Sequence, residues 1–267
     1  MPGLEYDNMA NFIKFLGTAG ARFVMIRQLR NSGGIWISCE GANILIDPGP
    51  GSIVHCAKSR PKLDPCTLDA IILTHRHLDH SNDINVMIEA MTEGGFKKRG
   101  AVFCPADALE GDPVIFNYVR QAPEKIQVIK ADQSYQAGNF AFSTSMRHIH
   151  PVETYGIKFK IKDKEIGLLT DTRYFEHLAD FYNVELLIAG VVFLEPRPGI
   201  DHLSAAELKG LILELKSKGR LKKVMLTHFG MSMLKAKPRK VAMDLARDTG
   251  VEVIAAADGM TVGLDNE

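Results

Sequence analysis

The sequence predicts an α/β fold in which two sheets stack face to face with helices outside them. Short β-branched and apolar runs bounded by Gly, Pro, Asn or Asp recur along the whole chain. Helical periodicity is clear only in the middle and toward the end, so strands come first and helices are interleaved later. Apolar residues make up 46% of 267 residues, enough for a sizeable core.

The early strands are expected at Phe12–Leu16, Ile35–Ser38, Asn43–Ile46, Ala70–Leu73, Ala101–Cys104 and Ile126–Ile129. The later set is Phe140–Ser143, Tyr155–Ile161, Glu165–Leu169, Leu186–Ala189, Val224–Leu226 and Val251–Ala255. Helices are expected over Asn82–Met91, Ala205–Lys216 and Arg239–Asp248. In the second of these, Leu208, Leu211, Ile212 and Leu215 form one stripe, and Ser204 with Glu207 completes a capping-box pattern. Residues 105–124 are the least regular stretch and read either as a surface excursion or as a substrate-facing lid. With no linker or short-period repeat in view, residues 1–267 read as one domain.

Lys plus Arg and Asp plus Glu both number 32, which excludes a global basic field for nucleic acid, although a local patch stays open. Met1–Asn11 has no apolar segment of the signal-peptide kind, and no run is long enough to cross a membrane. Cys39, Cys56, Cys66 and Cys104 lack metal-type spacing; Cys39 and Cys104 sit in apolar strand segments. A cytoplasmic, disulfide-free protein is the economical expectation.

The chemistry is concentrated in Ala70–His80. A buried strand runs straight into His75-Arg76-His77-Leu78-Asp79-His80, which crowds three histidines and an aspartate into six positions. Such groups are costly as core, because each ring nitrogen and carboxylate needs a partner. Divalent cations supply partners to all of them together. Imidazole and carboxylate suit zinc, and also manganese or iron.

This hexapeptide resembles the HxHxDH signature of the metallo-β-lactamase superfamily, and further segments follow in the family's order. Asn43–Gly49 is similar to its early strand-plus-aspartate motif, Leu168–Thr172 to the strand ending in a bridging aspartate, and Val224–His228 to the strand delivering the last histidine. The resemblance covers about Leu16 to Gly263. It implies a four-layer αββα sandwich whose two αβ halves meet at a site for two divalent cations, Zn2+ or else Mn2+ or Fe2+. By position, His75, His77 and His150 are expected on one cation, Asp79, His80 and His228 on the other, and Asp171 between them. Asp47 fits a carboxylate that orients a ligand imidazole. His148 remains the alternative to His150, since the two are two apart and share a strand face. His150 is preferred because His150–Gly156 resembles the HPxExYG segment of the tRNA 3′-processing endonucleases (tRNase Z).

Two other segments point to the same phosphodiesterase branch, which also holds the cyclic phosphodiesterases of phosphonate breakdown. Leu16–Gly20 with Arg30-Asn31-Ser32 is similar to its N-terminal glycine turn, and Asp201-His202-Leu203-Ser204 stands at a helix start. The resemblance implies that His202 supports the scissile phosphate and protonates the leaving oxygen. It also implies that the cations activate water, with Asp79 near enough to take a proton while ligating. His55 and His177 fall outside every motif.

One departure bears on the substrate. Residues 105–135 are too short and too evenly charged to resemble the basic arm with which tRNase Z grips tRNA. The expected substrate is therefore a small phosphodiester or nucleotide-like molecule, with a homo-oligomer left open. The rival readings are a tRNA 3′-processing endonuclease and a carbon-ester, thioester or lactone hydrolase of the lactamase kind.

Overall fold

The structure is a computed structural model that describes residues 11–265. Apart from Asn11, the Met1–Asn11 stretch read above for a leader lies outside the described residues. In chain order the strands are β1 (Phe12–Phe15), β2 (Ile35–Cys39), β3 (Ala42–Ile46), β4 (Ala70–Ile72), β5 (Ala101–Cys104), β6 (Lys125–Val128) and β7 (Ser134–Ala137). There follow β8 (Phe140–Arg147), β9 (Tyr155–Ile161), β10 (Lys164–Leu169), β11 (Leu186–Gly190), β12 (Lys223–Thr227), β13 (Glu252–Ala255) and β14 (Thr261–Gly263). The helices are α1 (Ala21–Ile26), α2 (Ser52–Lys58), α3 (Leu78–Ser81), α4 (Ile84–Met91), α5 (Leu178–Phe181), α6 (Ala205–Ser217), α7 (Met231–Ala236) and α8 (Pro238–Thr249).

Among the described residues the strands form two seven-stranded sheets, ordered β14-β1-β2-β3-β4-β5-β6 and β13-β12-β11-β10-β9-β8-β7. The pleat decides how they layer. In β4, Ala70 and Ile72 enter the core between the sheets, while Ile71 faces outward onto Met87, Ile88 and Met91 of α4. In β11, Leu186 and Ile188 join the same central core, while Leu187 and Ala189 pack under α6 and α8. Strands buried on both faces need apolar residues at every position, which explains runs such as Ala-Ile-Ile and Leu-Leu-Ile-Ala. The result is the four-layer αββα sandwich.

Local signals agree with this arrangement. The capping box of α6 is formed: Ser204 Oγ accepts from the Glu207 amide at 3.2 Å, and Glu207 Oε2 accepts from the Ser204 amide at 2.9 Å. Leu208, Leu211, Ile212 and Leu215 are fully buried, each worth roughly 1.5–3 kcal/mol of burial. The helix expected from Asn82 is divided. The turn of α3 ends at Ser81, and α4 starts after Asp83, whose carboxylate accepts from the Ile53 amide at 3.2 Å.

Residues 105–124 form a pinned excursion. Asn85 holds it through Val114 O and the Phe116 amide, and Arg120 donates to the carbonyls of Leu109 and Ile115. The four cysteines are free thiols. Among the described residues, no helix is long and apolar enough to cross a membrane.

Candidate metal centre

Strands β3 and β4 run parallel in one sheet, and β10, β11 and β12 run parallel in the other. Open α/β sheets collect their functional groups beyond the carboxyl ends of such strands. Here β3 delivers Asp47, β4 delivers Thr74 through His80, β10 delivers Asp171 and β12 delivers His228. The antiparallel β8 ends in a bulged register and hands on His148 and His150.

Close backbone approach draws these loops together. A Cβ on Gly20 would lie 2.0 Å from the carbonyl oxygen of His228, and one on Gly49 would lie 2.0 Å from that of Asp79. Only glycine fits at either place. Asp47 and His228 themselves adopt φ of 53° and 59°, a left-handed conformation that side chains other than glycine rarely take. Strain of this kind collects at functional sites.

The structure brings the residues singled out as ligands into two groups that share Asp171. His75, His77, His150 and Asp171 each bring one donor atom within 4.8 Å of the others, and so do Asp79, His80, Asp171 and His228. Asp171 belongs to both groups and is nearly completely buried. Burial alone would raise its carboxyl pKa, but His228 and His202 hold it well below the usual range. His80 is pulled the other way: burial disfavours its imidazolium, yet Asp79 and Asp47 hold its pKa well above the ordinary value. Burial and the neighbouring His150 push His77 down to about 4.

Hydrogen bonds fix which nitrogen of each ring looks inward. Thr74 donates its hydroxyl to Asp47 Oδ2 at 2.7 Å and so is free to accept from His75 Nδ1 at 3.1 Å. The same Asp47 oxygen takes His80 Nδ1 at 2.9 Å. His150 Nδ1 lies 3.0 Å from the carbonyl of Asp201, an acceptor only, so this nitrogen carries the proton. His150 Nε2 then abuts His77 Nδ1 at 2.9 Å.

Nε2 of His75, His80 and His228 is in each case buried without a hydrogen-bond partner. Buried polar atoms are normally satisfied, so these three unpartnered nitrogens, spread over both donor groups, fit metal-ligating roles. The residues present therefore suit divalent cations of the imidazole and carboxylate preference.

His148 lies outside this cluster. Its Nδ1 is 3.2 Å from the Asp171 carbonyl and its Nε2 is 3.0 Å from the Tyr182 hydroxyl, so both ring nitrogens are engaged by protein atoms. Burial pushes it down to about 4. A Cβ on Gly156 would fall 1.6 Å from the Tyr182 hydroxyl, so the glycine of the HPxExYG segment leaves room for that contact. The Glu and Tyr of the segment brace structure as well. Tyr155 donates to Glu153 Oε1 at 2.6 Å, and Glu153 Oε2 accepts from the Ala106 amide at 3.0 Å.

His202 stands at the edge of the cluster, just before the α6 cap. Its Nδ1 is 3.5 Å from Asp171 Oδ2 and has no hydrogen-bond partner. Burial lowers its pKa, with Asp171 opposing. His177 is an exposed residue paired with Asp180, and half-buried His55 lies against Gly51.

Sequence reasoning missed Tyr182, which carries no motif, and α1, whose side chains wall the cleft leading to the cluster. Arg30-Asn31 turns out to brace the site from behind. The Asn31 amide and the Thr18 hydroxyl both bond Asp258, and the Arg30 guanidinium reaches Thr18.

The comparisons agree with this geometry. The family model described as "Beta-lactamase superfamily domain" matches residues 42–229. The uncharacterized protein MJ1374 of Methanocaldococcus jannaschii is 30% identical over 263 residues, covering 95% of each chain. Ribonuclease Z of Thermoplasma volcanium is 24% identical over 204 residues, covering 68% of this chain and 65% of its own. The crystal structure of the metallo-beta-lactamase fold protein YhfI from Bacillus subtilis superposes with a TM-score of 0.76 at 20% identity, covering 94% of this chain and 98% of YhfI. The chain belongs to the metallo-β-lactamase superfamily of metal-dependent hydrolases, with relatives in its tRNase Z branch.

Proposed function

We propose that the protein is a dinuclear metal-dependent phosphodiesterase. His75, His77, His150 and Asp171 would hold one divalent cation, and Asp79, His80, Asp171 and His228 the second. The carrying observation is the shared position of Asp171 in two groups of donors, in which Nε2 of His75, His80 and His228 is buried without a hydrogen-bond partner. When bound, the cations supply positive charge against the phosphoryl oxygens and the acidity that makes water nucleophilic at neutral pH.

The chain's own residues do the rest. Asp47 holds His80, and through Thr74 also His75, in the tautomer that turns Nε2 inward. The Asp201 carbonyl does the same for His150. His202 is free of any protein hydrogen bond at Nδ1 and borders the cleft, so it can meet the leaving oxygen and donate a proton to it. That role favours a phosphodiester over a carbonyl substrate, and the similarity to ribonuclease Z leans the same way. A balance of 32 basic and 32 acidic residues favours a small diester over a polynucleotide.

The test is a screen of the metal-reconstituted protein. It sets bis-p-nitrophenyl phosphate and cyclic nucleotides against lactones and thioesters. Turnover of the phosphodiesters alone is expected; turnover of lactones or thioesters alone would replace this reading with the carbonyl one.

A further inference from the structure

The approach to the histidine cluster is a cleft of about 750 Å3, and its walls are largely apolar. Phe23 and Ile26 of α1 are 60% and 67% exposed, Leu78 is 62% exposed and Ile200 is 44% exposed. All four line this one cleft. Single exposed apolar side chains are ordinary on a protein surface, but a contiguous set beside a reactive centre is a binding feature.

Their placement is not diffuse. Leu78 stands between the candidate ligands His77 and Asp79, and Ile200 lies two residues before His202. Phe23 and Ile26 are three apart on α1 and flank Val24, whose complete burial anchors that helix. Leu78 and Ile200 thus stand within two residues of candidate site residues, and α1 supplies Phe23 and Ile26 to the same cleft.

Two cations complete the cleft. Arg197 lies over the Phe193 ring with 4.5 Å to its centroid, and Arg22 lines the same opening. Both are exposed, and among the described residues neither has an acidic side chain within ion-pair distance. A cleft of this size and lining matches a small molecule with an apolar body. A polynucleotide backbone would call for a denser basic track.

Building on the phosphodiesterase reading, we infer that the substrate is a small diester with one bulky apolar ester group. That group packs on Phe23, Ile26, Leu78 and Ile200, and a further anionic group on the same molecule meets Arg22 and Arg197. Selectivity comes from water expelled by the apolar ester arm, so it is read as a dependence on the length of that arm with the scissile group held constant.

The experiment uses full-length, metal-reconstituted protein and p-nitrophenyl phosphodiesters whose second ester is methyl, butyl or octyl. The leaving group is the same throughout, so only the body changes. Each methylene that leaves water is worth up to about fourfold, so kcat/KM for the octyl diester is expected to exceed that for the methyl diester by at least roughly tenfold. The gain should sit mainly in KM and should collapse in the double variant Phe23→Ser, Ile26→Ser.

A parallel titration with methyl-, butyl- and octylphosphonate, followed by calorimetry, reads the cleft without turnover. Affinity should rise with chain length in the parent and flatten in the variant. If no diester is hydrolysed but the phosphonate series still rises and flattens in this way, the phosphodiesterase reading fails while the apolar cleft stands. If the diesters are hydrolysed with no dependence on chain length, or if the dependence survives the double substitution, the inference is overturned. It is likewise overturned if the parent dimerises, the variant does not, and chain length is without effect, because the patch is then covered by a second copy.

Discussion

Nδ1 of His80 lies 2.9 Å from Oδ2 of Asp47, the same oxygen that accepts the Thr74 hydroxyl at 2.7 Å. One carboxylate therefore orients a ring in each half of the donor cluster, His80 directly and His75 through Thr74. Asp47→Asn keeps the shape but weakens this acceptor. Loss of such an orienting partner typically lowers metal affinity about 10–100-fold. Competition with a chelator of known affinity would measure it. Unchanged affinity would mean that Asp47 serves only the turn before Pro48.

His150 and His148 should separate cleanly. His150→Ala removes a donor that faces His77 and Asp171, so bound metal and activity should fall together. His148→Ala should leave most metal in place. It strips a partner from the buried Tyr182 hydroxyl, so it should instead cost about 1–3 kcal/mol of stability. Metal analysis alongside denaturant unfolding distinguishes the two, and the reverse pattern would show that the ligand assignment is wrong.

The role of His202 is decided by leaving groups. His202→Ala should retain its metals yet lose a factor on the order of 10²–10⁴ in turnover of an alkyl phosphodiester. The loss should shrink for a p-nitrophenyl ester, whose leaving group scarcely needs a proton. Equal losses on both would assign His202 to charge stabilisation of the phosphoryl group. No loss on either, with metals intact, would reduce it to a residue at a helix start.

A fourth expectation concerns stability away from the site. Lys14 is almost fully buried, and its ammonium donates to Arg60 O, Gly259 O and Thr261 Oγ1 at 2.9–3.0 Å. Burial lowers its pKa, so the folded chain binds fewer protons than the unfolded one just below pH 10.5. Stability from this group is therefore gained as pH climbs through that window and lost as pH falls through it. Lys14→Met should flatten this alkaline slope. At neutral pH it should cost about 1–3 kcal/mol by removing the charge-assisted hydrogen bonds to the Arg60 and Gly259 carbonyls, with metal content unchanged. An unaltered unfolding curve would contradict it.

How much of this was legible beforehand follows from how local each signal is. The cluster His75–His80, the capping box at Ser204 and the doubly buried strands each carry their pattern within a few residues, and the structure forms all of them. The six-residue α1 spans too little chain to display a helical period, and the three residues of β14 become a strand only by pairing with β1. β7, Ser-Tyr-Gln-Ala, buries only Tyr135 and Ala137, too brief an alternation to stand out. Tyr182 joins His148 from 34 residues away, and the cleft wall is assembled from α1, Leu78 and Ile200. Such relations exist only in the folded chain. The residues of the donor cluster are therefore readable in the sequence, and those that line its approach are not.

The most direct test of the central claim is the metal content of the intact chain. Protein purified without chelator and then equilibrated with Zn2+ or Mn2+ should approach two equivalents by elemental analysis. Asp171→Ala, which removes the donor common to both groups, should lower both occupancies together. A reproducible single equivalent in the parent, unmoved by added metal, would contradict the dinuclear account.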